Sequence, residues 1–286
     1  MSRNRGRTGS AGAKSAASQH VTENNETGAP LAFVVPTEYV ELPSEGRYYP
    51  EGHPLHGKDS IELKQMTAKE EDILTSRTLL KKGVALERVI ESIIVDKSID
   101  PDSLLVGDRN AIIIATRVSG YGSEYRTKVA CPNCGTVAKY AFDLNEADIY
   151  YGENAETLEL INHEDGTFTT KLPKTQVDVR FRLLCGYDEK RMVNSASAAR
   201  KKKNVMERTV TSHLANMIVS VNEDNSAESI NYVINNIPSL DSRHLRMVYK
   251  AAAPNVDLSQ HFECDECGHE QEMEVPLGAE FFWPDS

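Results

Sequence analysis

The spacing of apolar residues changes period several times along the chain. Phe33-Val34-Val35-Pro36 and Tyr39-Val40-Glu41-Leu42 read as short extended pieces, and Pro43-Ser44-Glu45-Gly46 supplies turn chemistry. A turn-rich stretch from Tyr49 to Gly57 follows, and the alternation Ile61-Glu62-Leu63-Lys64 predicts a strand. His53 and His56 fall in that stretch, where an exposed loop is expected. Thr67 and Glu70 have the form of a capping box and Gly83 that of a helix stop, which predicts one helix with Ile73, Leu74 and Leu80 facing inward. Leu86, Val89, Ile90, Ile93 and Ile94 recur at three-and-four spacing in a second helix. Asp108 is expected to cap a third, carrying Ile112 to Ala115 and ending near Gly120.

From Tyr125 to Leu144 the period becomes two, interrupted by a pair of cysteines, so strand, knuckle, strand is expected. Phe168 and the alternation from Val177 to Leu183 predict a sheet with a hairpin turn at Gly166. Helix returns from Asp188, with Met206, Val210, Leu214, Met217 and Ile218 on one face. Two short helices, Ser226 to Asn236 and Asp241 to Ala252, are bounded by Pro238 and Pro254. The fold class expected is α+β: a helical core with small antiparallel β elements and a zinc-ribbon-like pair of Cys-x-x-Cys-Gly knuckles. The expected divisions are a disordered basic tail at 1–30, an N-terminal region with the helical core at 31–124, and zinc-ribbon-like halves at 125–145 and 255–280. An inserted sheet and helical region occupies 146–254, and an aromatic tail 281–286.

Composition adjusts this picture in two places. The chain has 286 residues and a formal charge of −11, against a surface built throughout for nucleic acid. The charge is uneven, because Arg3, Arg5, Arg7 and Lys14 precede the first acid, Glu23, in a segment without an apolar period. No run approaches the roughly 18–20 apolar residues of a membrane span, so a soluble protein is expected.

The candidate chemistry lies in the cysteines. Cys131-Pro132-Asn133-Cys134-Gly135 and Cys264-Asp265-Glu266-Cys267-Gly268 share one form, and Cys185 stands alone. Two residues between cysteines let a tight turn aim both thiolates at one ion, and two such halves complete a tetrahedral site. A structural Zn2+ held by Cys131, Cys134, Cys264 and Cys267 is therefore expected. The pairs are roughly 130 residues apart, whereas the halves of a compact ribbon are separated by roughly 15–20. A redox dithiol fits less well, since both pairs lie between strand-like runs and not at a helix N-terminus. His269 is close enough to replace a ligand, but four thiolates already saturate the ion. Arg200-Lys201-Lys202-Lys203 reads as a solvated face. Phe281-Phe282-Trp283 is either a segment folded onto the chain's own core or an anchor for a partner subunit. Phosphate loops, dinucleotide fingerprints and nucleophile elbows are missing from the sequence, and no enzymatic activity is expected.

The stretch Leu42-Pro43-Ser44-Glu45-Gly46-Arg47-Tyr48-Tyr49-Pro50 resembles the opening signature of the T4-like bacteriophage baseplate hub subunit family. Met66-Thr67 with Glu70-Glu71-Asp72, Leu104-Leu105-Val106-Gly107-Asp108-Arg109, Arg117-Val118-Ser119-Gly120-Tyr121-Gly122 with Tyr125, and the first knuckle extend the resemblance. It covers about residues 40–145, and beyond them the second knuckle and the aromatic end. The resemblance implies a protein of the central hub of a contractile-tail baseplate, in the virion tail or acting in the host cytoplasm during assembly, whose partners are other hub or tail subunits. The alternative is a zinc-ribbon nucleic-acid-binding or transcription-associated module. Against it, Asp265, Glu266, Glu270, Glu272 and Glu274 surround the second pair, where Lys and Arg would be needed.

Overall fold

The computed structural model describes residues 34–152, 159–201, 208–276 and 279–282, without the side chains of 199–201 and 279–280. The expected basic tail, Leu158, Lys202, Lys203, Met206 and Trp283 lie outside what is described, as do the side chains of Arg200 and Lys201. Among the described residues the chain is α+β, with eight α-helices and small antiparallel sheets. Among the described residues no helix is long and apolar enough to cross a membrane.

Strands β1 (Thr37–Glu41) and β2 (Ser60–Lys64) pair antiparallel, with Val40 opposite Ile61. Helix α1 (Ala68–Thr75) starts on the expected capping box, in which the Thr67 amide donates to Glu70 Oε2 at 2.9 Å. The single helix expected up to Gly83 is two. Ser76 adopts an extended conformation (φ −65°, ψ 107°), and α2 (Arg77–Lys82) restarts beyond it. Thr75 and Ser76 explain the break: short hydroxyl side chains compete for backbone groups, and Thr75 Oγ1 donates to the Glu71 carbonyl at 2.9 Å. Leu80, expected inside, is 44% exposed on α2.

Helix α3 (Ala85–Ile93) buries Val89, Ile90 and Ile93, as its spacing predicts. Helix α4 (Val106–Tyr121) follows, stopped by Gly122 and not by Gly120. Asp108 does not cap it. Leu105 is the N-cap residue, and the Asp108 carboxylate turns away from its own helix toward the turn at Ser44. Gly107 is there because α4 starts against the backbone at Pro254, where an added Cβ would lie 1.9 Å from the Pro254 carbonyl oxygen.

Strands β3 (Glu124–Ala130) and β4 (Val137–Asp143) form the hairpin of the first knuckle. Strand β5 (Asp148–Tyr150) comes next. The chain then enters β6 (Ile161–Asn162), β7 (Thr167–Lys171) and β8 (Asp178–Arg182), with Gly166 in the β6–β7 turn as expected. Helices α5 (Gly186–Lys201) and α6 (Thr209–Met217) lead to β9 (Ile218–Val221), which completes the sheet in the order β6-β7-β8-β9. Ile218 was expected at the end of a helix. It opens this strand instead, because Ile218-Val219-Ser220-Val221 is dominated by β-branched side chains suited to a pleated surface.

Helices α7 (Ala227–Asn236) and α8 (Ser239–Ala252) return the chain to β10 (Asn255–Asp257). That strand pairs antiparallel with β5, so the long inserted section enters and leaves side by side. Strands β11 (Ser259–Glu263) and β12 (Glu270–Glu274) then form the second knuckle's hairpin, followed by a 3-10 turn at Ala279–Phe282. One hydrophobic cluster extends from Val40 to Phe282 and takes in residues from both hairpins, the inserted sheet and the helices.

Candidate metal centre

Each knuckle is built by the same backbone device. The Cys131 amide donates to the Thr136 carbonyl and the Gly135 amide to the Cys131 carbonyl, each at 2.9 Å. In the second knuckle the Cys264 amide donates to the His269 carbonyl at 2.9 Å, and the Gly268 amide to the Cys264 carbonyl at 2.8 Å. Both turns need a left-handed residue after the second cysteine, and Gly135 (φ 74°) and Gly268 (φ 64°) provide it.

The β5–β10 pairing brings the hairpins together, and side chains lock them. Gln260, buried on β11, treats the open edge of β4 as a strand partner: its Oε1 accepts from the Asp143 amide at 3.2 Å and its Nε2 donates to the Asp143 carbonyl at 2.7 Å. The Tyr140 hydroxyl donates to the His261 carbonyl at 3.1 Å, and its ring lies 5.2 Å from that of Phe262.

The four cysteines expected to share an ion meet at the tips of these hairpins, with all their sulfurs within 4.8 Å of one another. The cross-hairpin separations, Cys131 Sγ to Cys267 Sγ and Cys134 Sγ to Cys264 Sγ, are both 3.8 Å. A disulfide would need about 2.05 Å, and all four thiols are free. Such a group can hold a metal ion. Cys131 and Cys264 are buried, while Cys134 and Cys267 face solvent. Hydrogen bonds from the Thr136 hydroxyl and amide lower the Cys134 thiol to about 6. Cys264 receives backbone hydrogen bonds at Cys267 and Glu266 that favour its thiolate, but burial and the adjoining thiols outweigh them and raise it to about 11. His269 is not part of the group and contacts Gln271 Oε1 at 3.3 Å. Cys185 lies elsewhere, with its Sγ 3.4 Å from Asp188 Oδ2.

Phe281 and Phe282, which the sequence offers either to the core or to a partner, are 4% and 6% exposed in the chain's own core. Phe281 meets the Tyr125 ring edge-on at 5.2 Å. The latch on this segment is Arg117, which sequence reading missed. Its guanidinium is buried on α4 and donates to the carbonyls of Phe281 (2.6 Å), Gly122 (2.5 Å) and Glu124 (3.1 Å). The signal was a cation one turn beyond Ile113, just past the apolar run Ala111–Ala115.

A second missed cluster joins two pieces of the signature. Asp108, fully buried, accepts from the Ser44 amide (2.9 Å), the Ser44 hydroxyl (2.6 Å) and the Tyr49 hydroxyl (2.8 Å). Tyr49 in turn accepts from the Leu105 amide at 3.0 Å. Burial raises the Asp108 carboxyl against the pull of these donors, and burial together with the Asp108 carboxylate raises Tyr49 well above the ordinary phenol range. His53 is more engaged than an exposed loop residue, since it stacks on Tyr49 and bonds Ser103 Oγ at 2.8 Å.

A family model described as T4 bacteriophage base plate protein matches residues 36–283. The chain belongs to this family. The match reaches well beyond residues 40–145 and takes in the inserted sheet and helices, so the whole core of this T4-type baseplate protein is family architecture. Neither the curated proteins nor the solved structures contain a match to this chain.

Proposed function

We propose that this baseplate protein is a structural or assembly component of the central hub of a contractile tail, in the virion or during assembly in the host cytoplasm. It acts by binding other hub or tail subunits without turnover, on a scaffold stapled by one Zn2+. The observation that carries the zinc reading is the sulfur geometry. Tetrahedral zinc with Zn–S bonds of about 2.3 Å sets its sulfurs about 3.8 Å apart, and both cross-hairpin pairs have that separation. With four thiolates the coordination shell is closed, which fits a structural ion and leaves no open position for a substrate. Contact with a partner through the aromatic segment falls to Trp283, because Phe281 and Phe282 are engaged in the core. The nucleic-acid module is the weaker reading, since acids dominate the second knuckle.

Two measurements test the proposal together. Elemental analysis of protein prepared under reducing conditions without chelator should give one zinc per chain. Co-expression with neighbouring tail proteins should yield a complex containing hub subunits. Metal-free, fully folded protein would remove the staple, and a chain that binds only peripheral baseplate subunits would remove the hub assignment.

A further inference from the structure

The two hairpins have the same backbone plan but oppositely charged solvent faces. Alternate residues on a strand share a face. Tyr140 and Phe142 on β4 point inward, as do Gln260 and Phe262 on β11, and the Tyr140–Phe262 contact joins the two inner faces. The outer faces therefore turn away from each other. On the first hairpin the outer face carries Arg126, Lys128 and Lys139 around exposed Ala130, Val137 and Ala141, with Glu124 and Asp143 at its far end. On the second it carries Glu263, Glu270, Glu272 and Glu274 with His261.

The register adds an independent observation. Lys128 lies directly opposite Lys139, and Glu263 directly opposite Glu270. Like charges in directly opposed positions weaken a strand pair, so each hairpin carries a cost within the isolated chain. Among the described residues neither lysine has an ion-pair partner, and neither do Glu263, Glu270 and Glu274. Arg126 pairs with Glu124, and His261 approaches Glu272 at 3.9 Å.

We infer that these faces bind each other between copies of this chain: the basic face of the β3–β4 hairpin docks on the acidic face of the β11–β12 hairpin of the next molecule. Docking would set lysines against glutamates and relieve both like-charge pairs. Each copy uses one face as donor and the other as acceptor, so the contact is heterologous and repeats head to tail, closing into a ring where the rotation allows. Val137, 61% exposed at the knuckle end of the basic face beside the Lys128–Lys139 pair, gives the contact an apolar edge.

Sedimentation velocity of the full chain should show concentration-dependent assembly in low salt. The assembly should be lost in about 1 M NaCl, where charges are screened beyond about 3 Å. Lys128→Glu with Lys139→Glu should leave a monomer, and so should Glu270→Lys with Glu272→Lys. An equimolar mixture of the two variants, each confirmed as folded by circular dichroism, should associate again, because the Lys-to-Glu variant keeps the native acidic face and the Glu-to-Lys variant keeps the native basic one. The neutral pair Lys128→Gln with Lys139→Gln guards against misfolding of the reversed variant and should weaken assembly at least tenfold. A wild-type chain that stays monomeric at all concentrations in low salt would overturn the inference. So would assembly that ignores both reversals, failure of the mixture to associate, or a basic face that binds duplex DNA without self-association.

Discussion

Ser44 and Asp108, 64 positions apart, share one buried contact from two directions: the Ser44 amide takes one carboxylate oxygen at 2.9 Å and its hydroxyl takes the other at 2.6 Å. Tyr49 adds a third donor at 2.8 Å. The turn after β1 is thereby fastened to the first turn of α4, and two pieces of the signature become one structural unit. Asp108→Ala should cost about 3 kcal/mol or more in urea unfolding, because three buried donors lose their acceptor. Tyr49→Phe should cost about 1–2 kcal/mol. If Asp108→Ala unfolds at the wild-type midpoint, this cluster does not hold the turn.

Arg117 secures the segment after β12 through the Phe281 carbonyl. Arg117→Met should leave three carbonyls without their donor and destabilise the protein by about 2–4 kcal/mol. Limited proteolysis should then cut after residue 276 faster than in wild type. Phe281→Ala should cost about 3–5 kcal/mol as a core truncation. Wild-type stability of the Phe281→Ala protein would mean that the ring belongs to a partner's interface and not to this core.

Replacing Cys264 by Ser should remove most of the bound metal and loosen β3–β4 and β11–β12, while the helices from Ala68 to Tyr121 keep their signal. Hydrogen exchange would resolve the two regions. Equal protection of the hairpins in both proteins would count against a metal staple.

Two buried carboxylates predict acid responses of opposite sign. Burial pushes Asp188 up, but hydrogen bonds from Arg182 at 2.7 and 2.8 Å, with the Cys185 amide, win and hold it below the usual range. Its stabilising contribution is present above the ordinary carboxylate value near 3.9 and is lost as the pH falls through the lowered folded value. Asp108 is raised, so its contribution is present below about 3.9 and is lost as the pH rises through the raised folded value. Unfolding free energy followed from pH 3 to 7 should fall less steeply toward acid for Asp188→Asn than for wild type. For Asp108→Asn it should fall more steeply. Parallel curves for all three proteins would refute both assignments.

Legibility followed the range of the interaction. Capping at Thr67, the period-two stretches and the Cys-x-x-Cys-Gly form are local patterns, and each of these features lies where the sequence indicates. The four sulfurs also converge, because a repeated motif carries its partner's address in its own form. Ser76 was misread because hydrophobic spacing continues across a break made by hydroxyl competition. Ile218 was misread because one apolar period ran into another. Asp108 and Arg117 were hidden for a different reason. Asp108 looks like a helix cap and Arg117 like a surface cation, and only the tertiary fold supplies the distant groups that justify burying them.

The pairing of β5 with β10 and the roughly 130 residues between the cysteine pairs also set a clock. At about 5–20 residues per second of synthesis, Cys131 and Cys134 leave the ribosome roughly 7–25 s before Cys264 and Cys267. Throughout that interval the chain has half a site. Full tetrahedral ligation can occur only after the inserted sheet and α5 to α8 have been made, so closure of the sulfur cluster marks a nearly finished molecule, and a chain released early cannot carry that mark.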